Sequence, residues 1–218
     1  MIIVGCSNSK NLSRKVSKIL NCEYSELRVS KFPDGELYVK FDAEIKDKIV
    51  VLFQTLHPCN DQLLELLLAS YAAKDLGCRK LILVIPYLAY IRQDKMFNQG
   101  EAVSSKIVGR LLSVADEVLT VDPHLHRFKS LSEVFKCEAV RLSINSLIED
   151  YIKRNFTNPG IIGPDSESYQ WAENIAKSID ASAAILKKSR FSSRNVKISL
   201  TSDISGINIK DREVIIID

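Results

Sequence analysis

Residues 86–95, Pro-Tyr-Leu-Ala-Tyr-Ile-Arg-Gln-Asp-Lys, carry the densest set of chemically useful side chains in this sequence. They follow the apolar run 80–85, which is typical of a buried parallel strand. The carboxyl ends of such strands form the ligand-binding edge of open α/β sheets. Tyrosine rings can stack on a nucleobase, and Arg92, Gln93 and Asp94 can hold a base edge or a phosphate. The segment favours a nucleotide site; the alternative is a polar loop with two packing tyrosines.

A second polar cluster, Val121-Asp-Pro-His-Leu-His126, follows another predicted buried strand and holds two of the three histidines. Histidine is largely neutral near pH 7, so it can ligate a metal or carry a proton. The His-x-His spacing on an extended segment places both imidazoles on one side. No cysteine lies near to complete a zinc site. Magnesium held by one histidine, water and substrate phosphates fits better; a histidine that only hydrogen-bonds the backbone is the alternative.

Three weaker clusters stand at other predicted strand ends or loops. Phe32-Pro-Asp-Gly-Glu36 is a turn sequence flanked by an aromatic ring and a carboxylate. Gly163-Pro-Asp165 precedes a predicted helix, where Asp165 either holds a cation or caps the helix. The run 187–194, together with Lys197, is basic without a neighbouring acid, which suits a polyphosphate or a solvated hairpin. Neither a Walker A sequence nor GxGxxG is present, so these common phosphate loops are excluded.

Composition narrows the class of protein. The chain has 218 residues, 46% hydrophobic and 26% charged, enough for one large or two small globular domains. A net charge of +3 does not indicate a nucleic-acid partner. Five widely spaced cysteines without a CxxC pair suggest a reducing cytoplasm. The start of the chain reads as a strand rather than a signal peptide, and no apolar run is long enough to span a membrane.

Strand and helix patterns alternate along the chain, which predicts parallel sheets covered by helices. A restart of the pattern predicts an N-terminal α/β domain over residues 1–145 and a second over 146–218. In the strongest predicted helix, 61–76, five leucines are expected on the buried side and Gly77 as the C-cap: Leu63, Leu64, Leu66, Leu67 and Leu68. Predicted strands cover 2–4, 37–41, 49–53, 81–85, 117–121, 160–163, 183–186 and 214–217; the other predicted helices cover 12–20, 102–113, 144–155 and 168–179.

Taken together and in this order, the clusters resemble the ribose-phosphate pyrophosphokinase family, in its compact archaeal-like form. The resemblance runs over essentially the whole chain and is strongest in 32–36, in Asn60-Asp61, and in 86–95 followed by Gly100-Glu101. It implies two tandem domains of phosphoribosyltransferase-like type, the second incomplete. It also implies transfer of pyrophosphate from ATP to ribose 5-phosphate, giving phosphoribosyl pyrophosphate and AMP, with Mg²⁺, in a cytoplasmic homo-oligomer.

The resemblance assigns roles at the ATP site. The adenine-contacting loop, which in relatives reaches a neighbouring subunit's site, corresponds to Phe32, Asp34 and Glu36. The loop that holds adenine and the ATP phosphates corresponds to Arg92, Gln93 and Asp94.

It also assigns the metal, catalytic and substrate residues. His124 and Asp165 resemble the magnesium-contacting pair. Lys188 and Arg190 match the cations of a mobile catalytic loop that stabilises the transferring group. Asp218 matches the first of two acids leading into the ribose 5-phosphate loop.

Two departures from the family pattern keep a second function open. Glu167 stands near the position where the family usually has glycine beside the anion, and the sequence stops where the ribose-phosphate loop is expected. The alternative is a catalytically silent homologue that binds nucleotide or acts as an associated subunit. A purine-type phosphoribosyltransferase would share the fold but would not explain the loops at 32–36 and 92–94.

Overall fold

The computed structural model describes residues 1–164, 169–190, 196–200 and 212–217. The chain has two compact units, Met1–Leu142 and Ser143–Asp218. The first unit carries a seven-stranded sheet and the second a four-stranded sheet. The expected α/β class with mostly parallel sheets and flanking helices is confirmed.

The first unit alternates strands with helices. Its strands are β1 (Ile2–Gly5), β2 (Glu23–Lys31), β3 (Leu37–Phe41), β4 (Ile49–Phe53), β5 (Lys80–Ile85), β6 (Glu117–Val121) and β7 (Glu138–Leu142). Its helices are α1 (Lys10–Ile19), α2 (Cys59–Asp75) and α3 (Ser104–Leu112), with a 3₁₀ turn at Leu131–Glu133.

The strand order in this sheet is β3-β2-β1-β4-β5-β6-β7. Every pairing is parallel except the β2–β3 hairpin. The carboxyl ends of β2, β1, β4, β5 and β6 therefore meet at one edge. The chain extends the sheet first to one side of β1 and then, from β4 onward, to the other. The β1–β4 neighbourhood is thus the topological switch point, where sheets of this class bind ligands.

Apolar residues cover both faces of the central strands, as parallel strands between two helical layers require. On one face the strand residues Leu52, Leu81 and Leu83 pack with Leu66 of α2. On the other face, a separate cluster includes Ile3, Val51 and Phe53 with Val16 of α1. The sheet edge that carries the polar loops therefore stands on a core packed from both sides.

Helix α2 buries a narrower stripe than the sequence suggested. Leu66 is fully buried and Leu63 and Leu67 partly so, but Leu64 is 48% and Leu68 40% exposed. The expectation of five buried leucines is therefore wrong at Leu64 and Leu68, because only part of a 3.6-residue helix circumference faces one sheet. The expected C-cap is confirmed: Gly77 has φ +78° and its N–H donates to the Lys74 carbonyl.

The second unit has its own small sheet. Within its described residues, its elements are α4 (Asn145–Asn155), β8 (Gly160–Gly163), α5 (Tyr169–Ser178), β9 (Ala183–Arg190), β10 (Val196–Leu200) and β11 (Val214–Ile216). The strand order is β10-β9-β8-β11, with β8 parallel to β9 and β11, and β9 antiparallel to β10. A core of Ile152, Ile161, Ala172, Ile175 and Ile217 lies within this unit.

Two strands of the first sheet were not predicted from the sequence. Only Leu27 is buried in β2, and no residue of β7 is fully buried. Both strands lack the continuous apolar run that marks a central parallel strand. Among the described residues, no helix is long and apolar enough to cross a membrane.

Candidate functional site

The loop after β5 is held at its start by Tyr90. This residue has φ +66°, a left-handed conformation that is uncommon for an aromatic side chain. The Tyr90 hydroxyl donates to Asn60 Oδ1 in the first turn of α2. The Tyr90 carbonyl accepts a 3.1 Å hydrogen bond from Ser104 Oγ at the start of α3. Two helices thus fix the backbone just before Arg92.

Gln93 is anchored through its backbone and its side chain. Its carbonyl accepts hydrogen bonds from Ser105 N at 3.3 Å and Ser105 Oγ at 2.9 Å. Its side-chain Nε2 donates to Glu101 Oε2 at 3.2 Å. Glu101 therefore connects Gln93 with the turn that follows it.

Glu101 closes that turn. Its carboxylate accepts from Phe97 N at 2.9 Å, Asn98 N at 3.0 Å and Asn98 Nδ2 at 2.6 Å. These bonds, first that from the Asn98 side chain and then those from the two backbone N–H groups, lower the pKa of Glu101 below its ordinary value of 4.5. The ionised form of Glu101 is therefore the form that this loop favours.

Asp94 carries a buried charge. Its side chain is only 1% exposed, and both its oxygens accept from Arg127 Nη1, at 2.8 Å and 3.1 Å. Arg127 lies on the loop after β6, so this ion pair connects two neighbouring loops of the sheet edge. A buried carboxylate needs such a partner because its desolvation is costly.

Arg92 stands between these anchored residues and differs from all of them. Ile91 before it is buried, whereas the Arg92 side chain is exposed. No hydrogen bond or ion pair connects its guanidinium with any residue in the described part of the chain. The loop thus presents an exposed guanidinium beyond the carboxyl end of a parallel strand, where it can bind a phosphate.

The loop after β6 carries the predicted metal-binding histidine. Asp122 has φ +36° and its N–H donates to the Leu142 carbonyl at 2.9 Å, while its carboxylate lies 3.5 Å from Arg141 Nη2. The imidazole rings of His124 and His126 have centroids 6.0 Å apart. Within the described residues, no group of three or more His, Cys, Asp or Glu side chains is arranged to hold a metal ion.

Residues 32–36 form the predicted turn at the tip of the β2–β3 hairpin. Gly35 has φ +93°, and its N–H donates to the Phe32 carbonyl at 2.9 Å. Glu36 N donates to Asp34 Oδ1 at 3.1 Å. The Phe32 ring is half exposed and packs edge to face against the Tyr38 ring, with 5.9 Å between the ring centroids. The hairpin tip therefore presents an aromatic ring and carboxylates to solvent.

The structure does not join this hairpin tip to Arg92. In the sheet, β2 is separated from β5 by β1 and β4, a distance of about 14 Å at the usual strand spacing. Among the described residues, no hydrogen bond, ion pair or ring contact links residues 32–36 to 92–94. Residues just before each segment are instead bonded to the first turn of α2: Lys31 Nζ lies 2.6 Å from Asp61 Oδ2, and the Tyr90 hydroxyl donates to Asn60.

The remaining predicted site residues belong to the second unit. Asp165, Glu167 and Asp218 lie outside the described residues. Lys188 and Arg190 lie in β9, in register with Ile198 and Val196 of β10. The sequence placed the end of this strand at Leu186, but β9 continues to Arg190.

At the topological switch point, residues of the loop after β1 form hydrogen bonds with residues that follow β4 and with α2. Ser7 bonds to Glu65, Asn8 N donates to Gln54 Oε1 at 3.1 Å, and Ser9 Oγ lies 3.0 Å from Thr55 Oγ1. Sequence reasoning missed this network and the role of Arg127. The one available signal was the charge of Asp94 itself, in the loop that follows a predicted buried strand.

Comparisons with known proteins agree with the sequence motifs. Residues 1–115 match the family described as the N-terminal domain of ribose phosphate pyrophosphokinase. The ribose-phosphate pyrophosphokinase of Methanobrevibacter smithii is 35% identical, with 100% of this chain and 75% of that protein covered. The enzyme of the same name from Saccharolobus solfataricus is 34% identical, with 100% and 74% covered.

A solved structure shows the same fold. The phosphoribosylpyrophosphate synthetase from Mycobacterium smegmatis aligns with a TM-score of 0.74 at 23% identity, covering 91% of this chain and 66% of that one. The two curated relatives carry the same family name, and the motifs at 32–36 and 86–101 lie within the matched region. The chain therefore belongs to the ribose-phosphate pyrophosphokinase family, whose members are ribose-phosphate diphosphokinases.

Proposed function

We propose that this protein binds ATP at the loop after β5 and transfers its pyrophosphoryl group to ribose 5-phosphate, giving phosphoribosyl pyrophosphate and AMP. The observation that carries the proposal is the state of Arg92. Its guanidinium is exposed and has no partner in the described part of the chain, while Tyr90, Gln93 and Asp94 around it are all anchored. Preorganised charge of this kind is what phosphoryl-type transfer requires.

In this proposal Arg92 and Gln93 bind different parts of the nucleotide. Arg92 holds a phosphate through charge-assisted hydrogen bonds. The Gln93 amide nitrogen already donates to Glu101, which leaves the side-chain carbonyl oxygen of Gln93 to accept from the amino group of adenine. The reaction needs no covalent enzyme intermediate, because positioning and charge neutralisation provide the catalysis.

Magnesium is part of the proposal, held by His124 and Asp165. One imidazole and one carboxylate are too few ligands for a metal that is bound only by protein side chains. They suit magnesium, which keeps several waters and binds phosphate oxygens. His124 is half buried on the loop after β6, next to the loop that carries Arg92. When bound, the ion neutralises the charge of the ATP phosphates.

The other residues complete the site in the same proposal. Lys188 and Arg190 stabilise the transferring group, and Asp218 contacts ribose 5-phosphate. Phe32, Asp34 and Glu36 contact the adenine bound by a second copy of the chain in a cytoplasmic homo-oligomer. The separation of β2 from β5 in the sheet supports this, because it keeps the hairpin tip away from the Arg92 of its own sheet.

Calorimetric titration with ATP tests the role of Arg92. We expect Arg92→Ala to weaken ATP binding by about 1.5–3 kcal/mol, the scale of a charge-assisted hydrogen bond. The matched control is Arg79→Ala, which removes an exposed arginine just before the amino end of β5, at the opposite edge of the sheet. The control should bind ATP like the wild type, and equal affinity for ATP in Arg92→Ala would contradict the proposal.

A further inference from the structure

We propose that Arg127 is a positioning residue of the nucleotide site, which acts by neutralising the buried carboxylate of Asp94 and so keeps Arg92 available for the nucleotide. This inference rests on the function proposed above. It gives Asp94 a role toward Arg127, where the family resemblance suggested only contact with ATP. Arg127 lies on a different loop from Arg92 and is 33 positions from Asp94 in the sequence.

The pair of Asp94 and Arg127 is buried at its acidic end. The Asp94 side chain is 1% exposed, whereas that of Arg127 is 40% exposed. One nitrogen of Arg127, Nη1, donates to both carboxylate oxygens. Without Arg127, the buried Asp94 carboxylate would have no partner among the described residues. An unpaired buried charge is strongly destabilising, so the loop would rearrange.

Arg127 also contacts the same segment at a second residue, Phe97. Its Cζ atom lies 5.1 Å from the centroid of the Phe97 ring, and Lys95 Nζ lies 5.2 Å from that centroid. Both distances are in the range of cation–π contacts. Arg127 therefore contacts the segment after Arg92 at Asp94 and at Phe97, and so fixes its position relative to the loop after β6.

The negative charge of Asp94 also affects Arg92. Arg92 is two residues from Asp94 and has no partner of its own in the described part of the chain. If Arg127 is removed, Arg92 becomes a nearby cation that can pair with Asp94, and it is then lost to the phosphate. An unpaired Asp94 carboxylate would also repel the phosphates directly. Arg127 thus serves the nucleotide site without touching the nucleotide.

Calorimetric titration with ATP of Arg127→Ala and of the double variant Asp94→Asn/Arg127→Ala tests this mechanism. We expect Arg127→Ala to bind roughly tenfold more weakly, the scale of one charge-assisted bond. The double variant should regain most of that affinity, because a neutral amide in place of the Asp94 carboxylate neither attracts Arg92 nor repels phosphate. Arg127→Lys should also keep most of the affinity, since a single nitrogen makes both bonds to Asp94.

The matched control is Lys129→Ala, which removes another exposed cation from the loop after β6 and should leave ATP binding unchanged. Wild-type affinity in Arg127→Ala overturns the inference. So does a double variant as weak as Arg127→Ala, because neutralisation of the Asp94 carboxylate would then not be what Arg127 supplies. If Arg127→Ala does not fold, weak ATP binding by either the double variant or Arg127→Lys overturns the inference, and retained binding by both supports it. Failure of the proposed function is distinct, because it shows as unchanged affinity in Arg92→Ala.

Discussion

Ser7 donates both its backbone N–H and its hydroxyl to the Glu65 carboxylate, at 2.8 Å and 2.6 Å. Ser7 follows β1, and Glu65 lies on α2 with 2% of its surface exposed. The pair therefore ties the loop after β1 to the helix after β4, across the topological switch point of the sheet. The same helix bonds to Lys31 and Tyr90 through its first turn. Helix α2 is thus the common support of three loops at the sheet edge.

Removing the Glu65 carboxylate should destabilise the fold. We expect Glu65→Ala to lower the free energy of unfolding by about 3 kcal/mol or more, because each hydrogen bond to a charged group contributes about 1.5–3 kcal/mol and two donors of Ser7 lose their acceptor. Urea denaturation measures this change. Glu65→Gln is the matched control, since it keeps the volume and one acceptor oxygen and should lose less. A change below about 1 kcal/mol in Glu65→Ala would contradict the structural role of this pair.

Gly109 is required where α3 packs against the 3₁₀ turn. A Cβ at this position would lie 2.8 Å from Val134 Cγ1 and 2.9 Å from the Val134 carbonyl carbon, and nearer still to the carbonyl oxygen. Alanine favours a helix over glycine by about 1 kcal/mol, but it cannot displace backbone atoms at no cost. We therefore expect Gly109→Ala to lower the free energy of unfolding by about 1–3 kcal/mol, the usual cost of overpacking.

Thermal or urea unfolding of Gly109→Ala measures the balance of these two effects. Lys106→Ala is a suitable control, because Lys106 is exposed on the same helix and should tolerate alanine with little change. A Gly109→Ala protein more stable than the wild type would show that helix propensity outweighs the contact with Val134.

The strands that carry the site were predictable, but the contacts between their loops were not. Strands β1, β4, β5 and β6 have apolar sequences, as expected for parallel strands with both sheet faces covered. The positions of Arg92 and His124, in loops after two of these strands, follow from that pattern. The pairing of Asp94 with Arg127 depends on β5 lying beside β6 and on the burial of one carboxylate. Sequence spacing contains neither fact. The same holds for Ser7 and Glu65, which are 58 positions apart.

Acidification should loosen the turn closed by Glu101. Hydrogen bonds from Asn98 and Phe97 lower the pKa of Glu101 from 4.5, so the folded loop favours the carboxylate. The stabilisation of the turn by ionised Glu101 is present above pH 4.5 and is lost as the pH falls through the lowered pKa of Glu101. In an NMR titration, the Phe97 and Asn98 amide signals should shift with a midpoint below 4.5. Glu101→Gln should abolish this transition, and a midpoint above 4.5 would contradict the arrangement.

The two histidines of the loop after β6 provide a matched pair for testing the metal. We expect His124→Ala to weaken ATP binding in the presence of Mg²⁺ by roughly tenfold, the lower end of the effect typical of residues that support a metal site. In EDTA, without free Mg²⁺, the same variant should bind ATP like the wild type, because only the metal-dependent part of the affinity is lost.

His126→Ala is the control, since His126 lies two positions further along the same loop, with its ring centroid 6.0 Å from that of His124. We expect it to keep its affinity for ATP under both conditions. Asp165→Asn should behave like His124→Ala, because the proposal places both residues on the same ion. His124→Ala and His126→Ala could lose ATP affinity equally, or the loss in His124→Ala could persist in EDTA. Either result would show that His124 maintains the conformation of the loop and does not bind the metal.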